Sequence, residues 1–89
     1  MARREVVVGS RIGLHSRPAA LFVKAVTEQP VKITIRKGDG DPVDARSILM
    51  VMGLAVGNNE EVTLSAEGDG ADAALDQLVE LLEIDHDAA

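Results

Sequence analysis

The sequence predicts an α+β fold, an antiparallel sheet with amphipathic helices packed on one of its faces. Three observations lead there. Short β-branched segments alternate apolar and polar residues, as strands buried on one side do. Between them lie longer stretches with apolar residues at helical spacing. The elements follow in the order β-α-β-β-α-β-α, with no internal repeat, low-complexity tract or linker. At 89 residues the chain has room for one small domain, residues 1–89, built around one shared core.

Arg4 to Val8 is β-branched and forms a first strand, stopped by Gly9 and Ser10. From Arg17 to Glu28 the pattern turns helical, with Ala19, Phe22, Val23 and Val26 on one face. Pro30 ends that helix, and Val31, Ile33 and Ile35 then alternate with Lys32, Thr34 and Arg36 as a second strand. Gly38, Asp39 and Gly40 turn the chain into a short segment around Val43, where Pro42 suits an edge strand. Ser47 carries the side chain of a helix N-cap in front of the apolar run Ile48 to Val56, read as a second helix despite Gly53. Gly57, Asn58 and Asn59 make a turn, and Val62, Leu64 and Ala66 alternate as a fourth strand. Gly68 to Gly70 lead into a third helix with Ala71, Ala74, Leu75, Leu78, Leu81 and Leu82 as its apolar stripe, and residues after Ile84 are expected to fray.

Composition removes several classes of function. There is no cysteine, so neither a disulfide framework nor a thiolate metal site can form, and His15 and His86 stand too far apart for a short metal motif. No metal or other cofactor is expected. The longest apolar run, Ile48 to Gly57, is too short to span a bilayer, and Val6 to Val8 is too short for a signal-peptide core. The expectation is a soluble cytoplasmic protein without membrane insertion. A net charge of -6 and a single aromatic residue, Phe22, offer nucleic acid neither a cationic groove nor stacking platforms. Charge is also uneven: all nine Lys and Arg lie between Arg3 and Arg46, whereas residues 47–89 carry ten acids and no Lys or Arg. Two readings stay open, a solvated acidic C-terminal helix and a basic frame around an anion site.

The stretch Gly13-Leu14-His15-Ser16-Arg17-Pro18-Ala19 is the most informative, because it sets a histidine just before a helix that Pro18 opens. Ser16 and Arg17 are both candidates for the N-cap, Ser16 by its side chain and Arg17 because the residue before a proline avoids helical dihedrals. Free amides, the positive end of the helix dipole and the Arg17 guanidinium together make a site for a phosphoryl group. A neutral imidazole is a nucleophile near pH 7, and its N–P bond is reactive enough to pass the group on. An ordinary exposed histidine is the alternative these residues alone leave open; His86 is given no role. In the second helix, Ile48, Leu49 and Met52 exceed what one buried face needs, which points either to an exposed contact patch or to plain core packing. Arg17, Leu21 and Lys24 share a face of the first helix. No nucleophile elbow, Walker loop, paired-histidine motif or dinucleotide fingerprint is present.

GLHSRPA at residues 13–19, followed by RSILMVMGL at residues 46–54, strongly resembles the HPr family, the histidine phosphocarriers of the phosphoenolpyruvate-dependent sugar phosphotransferase system. The similarity runs over essentially the whole chain. It implies one domain over residues 1–89, an open-faced two-layer sandwich with strand order 1-4-2-3, and three helices on one face. It also implies that Nδ1 of His15 takes a phosphoryl group from enzyme I and passes it to enzyme IIA components, assisted by Arg17. Ser16, Pro18, Leu21, Lys24, Ile48, Leu49 and Met52 would form the contact surface. Ser47 matches the position that an ATP-dependent kinase phosphorylates in many Gram-positive members. Such a protein is a monomeric carrier rather than an enzyme. Two residues depart from the commonest pattern: Ser16 replaces the usual Ala, and Met50 stands where a smaller residue is frequent. The rival class is a small regulatory or ligand-sensing split β-α-β domain with strand order 4-1-3-2, in which His15 would be structural. A phosphatase of small α+β type would need a positioned water and an Asn or acid near the arginine, which GLHSRPA lacks.

Overall fold

Strand β1 (Ala2–Val7), helix α1 (Ser16–Thr27), β2 (Ile33–Lys37), β3 (Val43–Asp44), α2 (Ile48–Gly53), β4 (Glu61–Ala66) and α3 (Ala71–Glu83) succeed one another in the computed structural model, which describes residues 2–85. The sheet is antiparallel throughout, in the order β1-β4-β2-β3. That is the open-faced arrangement implied by the resemblance, and the 4-1-3-2 order of the rival class does not form.

Register explains which side chains meet. One row across the sheet joins Arg4, Leu64, Ile35 and Val43, and the next joins Val6, Val62 and Lys37. Successive residues on a strand point to opposite faces, so these rows and the Ala66–Ile33 pair look toward the helices, where Phe22, Val26, Val51, Leu75 and Leu78 complete the core. Phe22, the sole aromatic side chain, is fully buried there. The other face presents Arg3, Glu5, Thr34, Arg36 and Ser65 to solvent. Thr63 shares that face yet is buried, because β4 is flanked by strands on both sides. Helix α3 packs on β1 and β4, and α1 packs against both α3 and α2. Arg4 ties sheet to helix: its guanidinium donates to Asp72 at 3.0 Å and to Asp76 at 3.2 Å, carboxylates one turn apart on α3.

The second helix ends earlier than its apolar run suggests, at Gly53 instead of Val56. Its last turn tightens, with the Leu54 amide donating to Val51 at 3.2 Å and the Ala55 amide to Met52 at 3.1 Å. Ala55 then takes a left-handed φ of +55°, which turns the chain out of the helix. Val56 is fully buried as a loop residue, so it looked helical from sequence for a tertiary reason. Strand β1 also begins two residues before the predicted Arg4, since Ala2 and Arg3 pair with Ala66 and Ser65.

Candidate functional site

Two loops, residues 8–14 and 54–60, are stitched together before α1 begins. The Val8 amide donates to the Glu60 carbonyl and the Asn59 amide to the Val8 carbonyl, each at 2.9 Å. Asn58 Nδ2 donates to the Ser10 carbonyl at 2.9 Å, and the Leu14 amide donates to the Val56 carbonyl at 2.9 Å. Gly13 makes that approach possible: its φ is +72°, and a Cβ there would collide with the Val56 carbonyl and press on Gly57. Leu14 is fully buried. The chain therefore delivers His15 to a fixed place.

His15 is half-buried and is itself the N-cap of α1, with φ -126° and ψ 159° and no side-chain capping bond. This corrects the expectation that Ser16 or Arg17 caps the helix. Ser16 is instead the first helical residue, at a left-handed φ of +50°. For a side chain with a Cβ that conformation costs about 1–2 kcal/mol. Pro18 sits third rather than first, still within the first turn, where a missing N–H is tolerated. With no capping side chain, no acid in the first turn and an exposed Arg17, the start of this 12-residue helix has the free amides and positive dipole end that suit an anion.

Around it, Ser16 and Lys24 are exposed and Leu21 is half-buried. Pro18 is buried on the packed side of α1, so it offers no contact surface. On α2, Leu49 is 82% exposed and Ile48 and Met50 are also open, whereas Met52 is half-buried. The exposed patch is thus Ile48, Leu49 and Met50. Fully buried Val51 fixes the inward face, and Met50 and Met52 lie about 100° to either side of it; the sequence could not tell which flank α2 would cover. Ser47 caps α2 as expected, its hydroxyl accepting from the Met50 amide at 3.3 Å. His86 lies outside the described residues. Among the described residues no group of three or more His, Asp or Glu side chains is placed to hold a metal ion, and no helix is long and apolar enough to cross a membrane.

Sequence reasoning missed Glu60. Its carboxylate accepts from the Gly57 amide at 2.7 Å and pairs with Lys37 at 3.2 Å. The Gly57 hydrogen bond first, and Lys37 second, hold this carboxyl below its ordinary value of 4.5. A signal was present: Glu three residues after a turn-opening glycine has the spacing with which a carboxylate reaches back to a free amide. A depressed acid contributes stability above its unfolded pKa and loses it as pH falls through the folded value. Wild type should therefore be more stable than Glu60→Gln at neutral pH, with the gap closing as pH falls below the ordinary carboxylate range. Urea melts across that range test this, and a gap independent of pH would contradict the assignment.

An open-faced α+β sandwich that presents a histidine at an uncapped helix start is the class these features define. The family model described as "PTS HPr component phosphorylation site" matches residues 2–83. The chain is 49% identical over 82 residues to phosphocarrier protein HPr of Streptomyces coelicolor, covering 92% of this chain and 88% of that protein. It is 45% identical over 80 residues to phosphocarrier protein HPr of Haloferax volcanii, covering 89% and 90% of the two chains. The crystal structure of HPr from Bacillus anthracis superposes with a TM-score of 0.86 at 38% identity, covering 91% of this chain and 95% of that one. The chain belongs to the HPr family, the phosphocarriers of the phosphotransferase system.

Proposed function

We propose that Nδ1 of His15 accepts a phosphoryl group from phospho-enzyme I and hands it to enzyme IIA components of sugar transport. The observation that carries this reading is the half-buried histidine at an uncapped helix start, with Arg17 two residues on and no acid in the first turn. The Nδ1 lone pair attacks phosphorus, and the bond from phosphorus to the donor breaks with its electron pair leaving on the donor. The N–P bond so formed is cleaved in the same way by the acceptor, which returns the imidazole to its neutral state. Helix amides and Arg17 balance the charge of the phosphoryl oxygens in both steps. The relay needs no metal or organic cofactor on this chain, and in this reading the protein works in the cytoplasm. Incubation with enzyme I, Mg²⁺ and phosphoenolpyruvate should add the mass of one acid-labile phosphoryl group; an unchanged mass would refute the proposal.

Ile48, Leu49 and Met50 serve in this reading as the apolar surface on which donor and acceptor dock in turn. Leu49→Glu should slow both transfers at least tenfold, since a charge buried in a partner contact must be desolvated. Its stability should change by no more than about 0.5 kcal/mol, because the side chain is already in water. A large fall in melting temperature would place Leu49 in the core. Phosphorylation of Ser47 by an ATP-dependent kinase would put charge at the edge of the same surface while suiting the α2 N-terminus. Ser47→Asp should accordingly be slower with enzyme I at unchanged stability; equal rates would leave Ser47 as a cap only.

A further inference from the structure

We propose that Lys37 and Glu60 act as one clamp that positions His15 for transfer, working through residues 55–57. The inference rests on the phosphocarrier reading. Lys37 Nζ donates to the Ala55 carbonyl at 2.9 Å and pairs with Glu60 at 3.2 Å, and Glu60 holds the Gly57 amide at 2.7 Å. The clamp thus grips the segment on both sides of Val56. That residue's carbonyl receives the Leu14 amide, and Gly13 lies against it and against Gly57. One unbroken series of contacts runs from Lys37 and Glu60, through Val56, to the two residues before His15.

Two features favour positioning over simple stabilisation. Ala55 is held at φ +55°, and a non-glycine residue keeps such a conformation only where its surroundings over-determine it; Lys37 on its carbonyl and the anchored Gly57 supply that constraint. Both charged side chains are also substantially exposed, at 34% and 43%, and exposed ion pairs add little to stability. Their geometric effect is larger, because displacing a reacting group by about 1 Å can slow a transfer on the order of a hundredfold. If Val56 moves, the Leu14 amide and the Gly13 backbone must follow, and His15 with them.

The test is transfer from phospho-enzyme I to wild type, Lys37→Met, Glu60→Gln, the double variant and Lys37→Arg, each assayed where melting curves show it fully folded. Both single variants should lose about three- to tenfold in limiting rate, with KM for phospho-enzyme I within twofold of wild type. The double variant should be no slower than the slower single one, as expected of residues acting as one device. Lys37→Arg keeps charge and donors and should recover at least half of the wild-type rate. Hydrogen exchange at the Leu14 amide should quicken in Lys37→Met and Glu60→Gln. Unchanged limiting rates in both single variants, or a change confined to KM, would overturn the clamp while leaving His15 as the acceptor. A wild type that takes up no phosphoryl group would overturn the phosphocarrier reading itself.

Discussion

His15→Ala is expected to take up no phosphoryl group from phospho-enzyme I while folding as the wild type does. The two halves of that result have separate causes. The imidazole is the only nucleophile of its kind at the helix start, and neither Ser16 nor Arg17 can replace it: a hydroxyl lacks an adjacent base, and a guanidinium stays protonated. The fold should be indifferent because His15 is half-buried and makes no capping bond. Replacing a cap residue by Ala costs about 0.5–2 kcal/mol where the side chain bonds the helix, and that loss does not arise here. Leu14 and the Val56 carbonyl, which hold the loop, are untouched. Mass spectrometry and circular dichroism read the two halves, and full phosphorylation of a folded His15→Ala protein would remove His15 from the mechanism. Arg17→Ala should slow the reaction without stopping it, since the helix amides still face the phosphoryl oxygens.

Much of this architecture was legible in the sequence because local pattern and tertiary demand agree. Ile33 and Ile35 alternate with polar neighbours, and all of β2's apolar side chains are buried on the helix face. Ser47 has the chemistry of a cap and is one. Pattern failed where a residue's state is set from outside its own segment. Val56 extends an apolar run, yet it is buried in a loop pinned by Leu14 and followed by Gly57 in the grip of Glu60. Met50 and Met52 flank the same buried Val51, and only the packing of α2 in the folded chain separates them. Ser16 gave no sign of its left-handed φ, for serine has no special tolerance of that region. The histidine and arginine of the site were readable as residue types at a helix start, whereas the clamp joins Lys37 to residues 18 and 23 positions away and leaves only the faint Gly57-to-Glu60 spacing.

Gly13→Ala should be strongly destabilising, although it adds a single methyl beside the site. The backbone there has φ +72°, which costs an L-residue about 1–2 kcal/mol. The new Cβ would also overlap the Val56 carbonyl, a backbone atom that can retreat only by giving up the hydrogen bond from Leu14. Forcing a methyl into such packing costs about 1–3 kcal/mol more. The reduced freedom of the unfolded chain offsets about 0.4–1 kcal/mol. The net loss of about 1–5 kcal/mol lowers the melting temperature by about 4–8 °C per kcal/mol for a domain of this size, and phosphoryl transfer by the folded fraction should slow because His15 stands two residues on. Gly38→Ala separates the two causes: φ there is +55°, and nothing lies within 4 Å of the added Cβ. It bears the dihedral cost alone, so Gly13→Ala must be the more destabilising of the two by the cost of the overlap. If both substitutions lowered the melting temperature equally, the Val56 carbonyl would not be the wall against which the histidine loop is set.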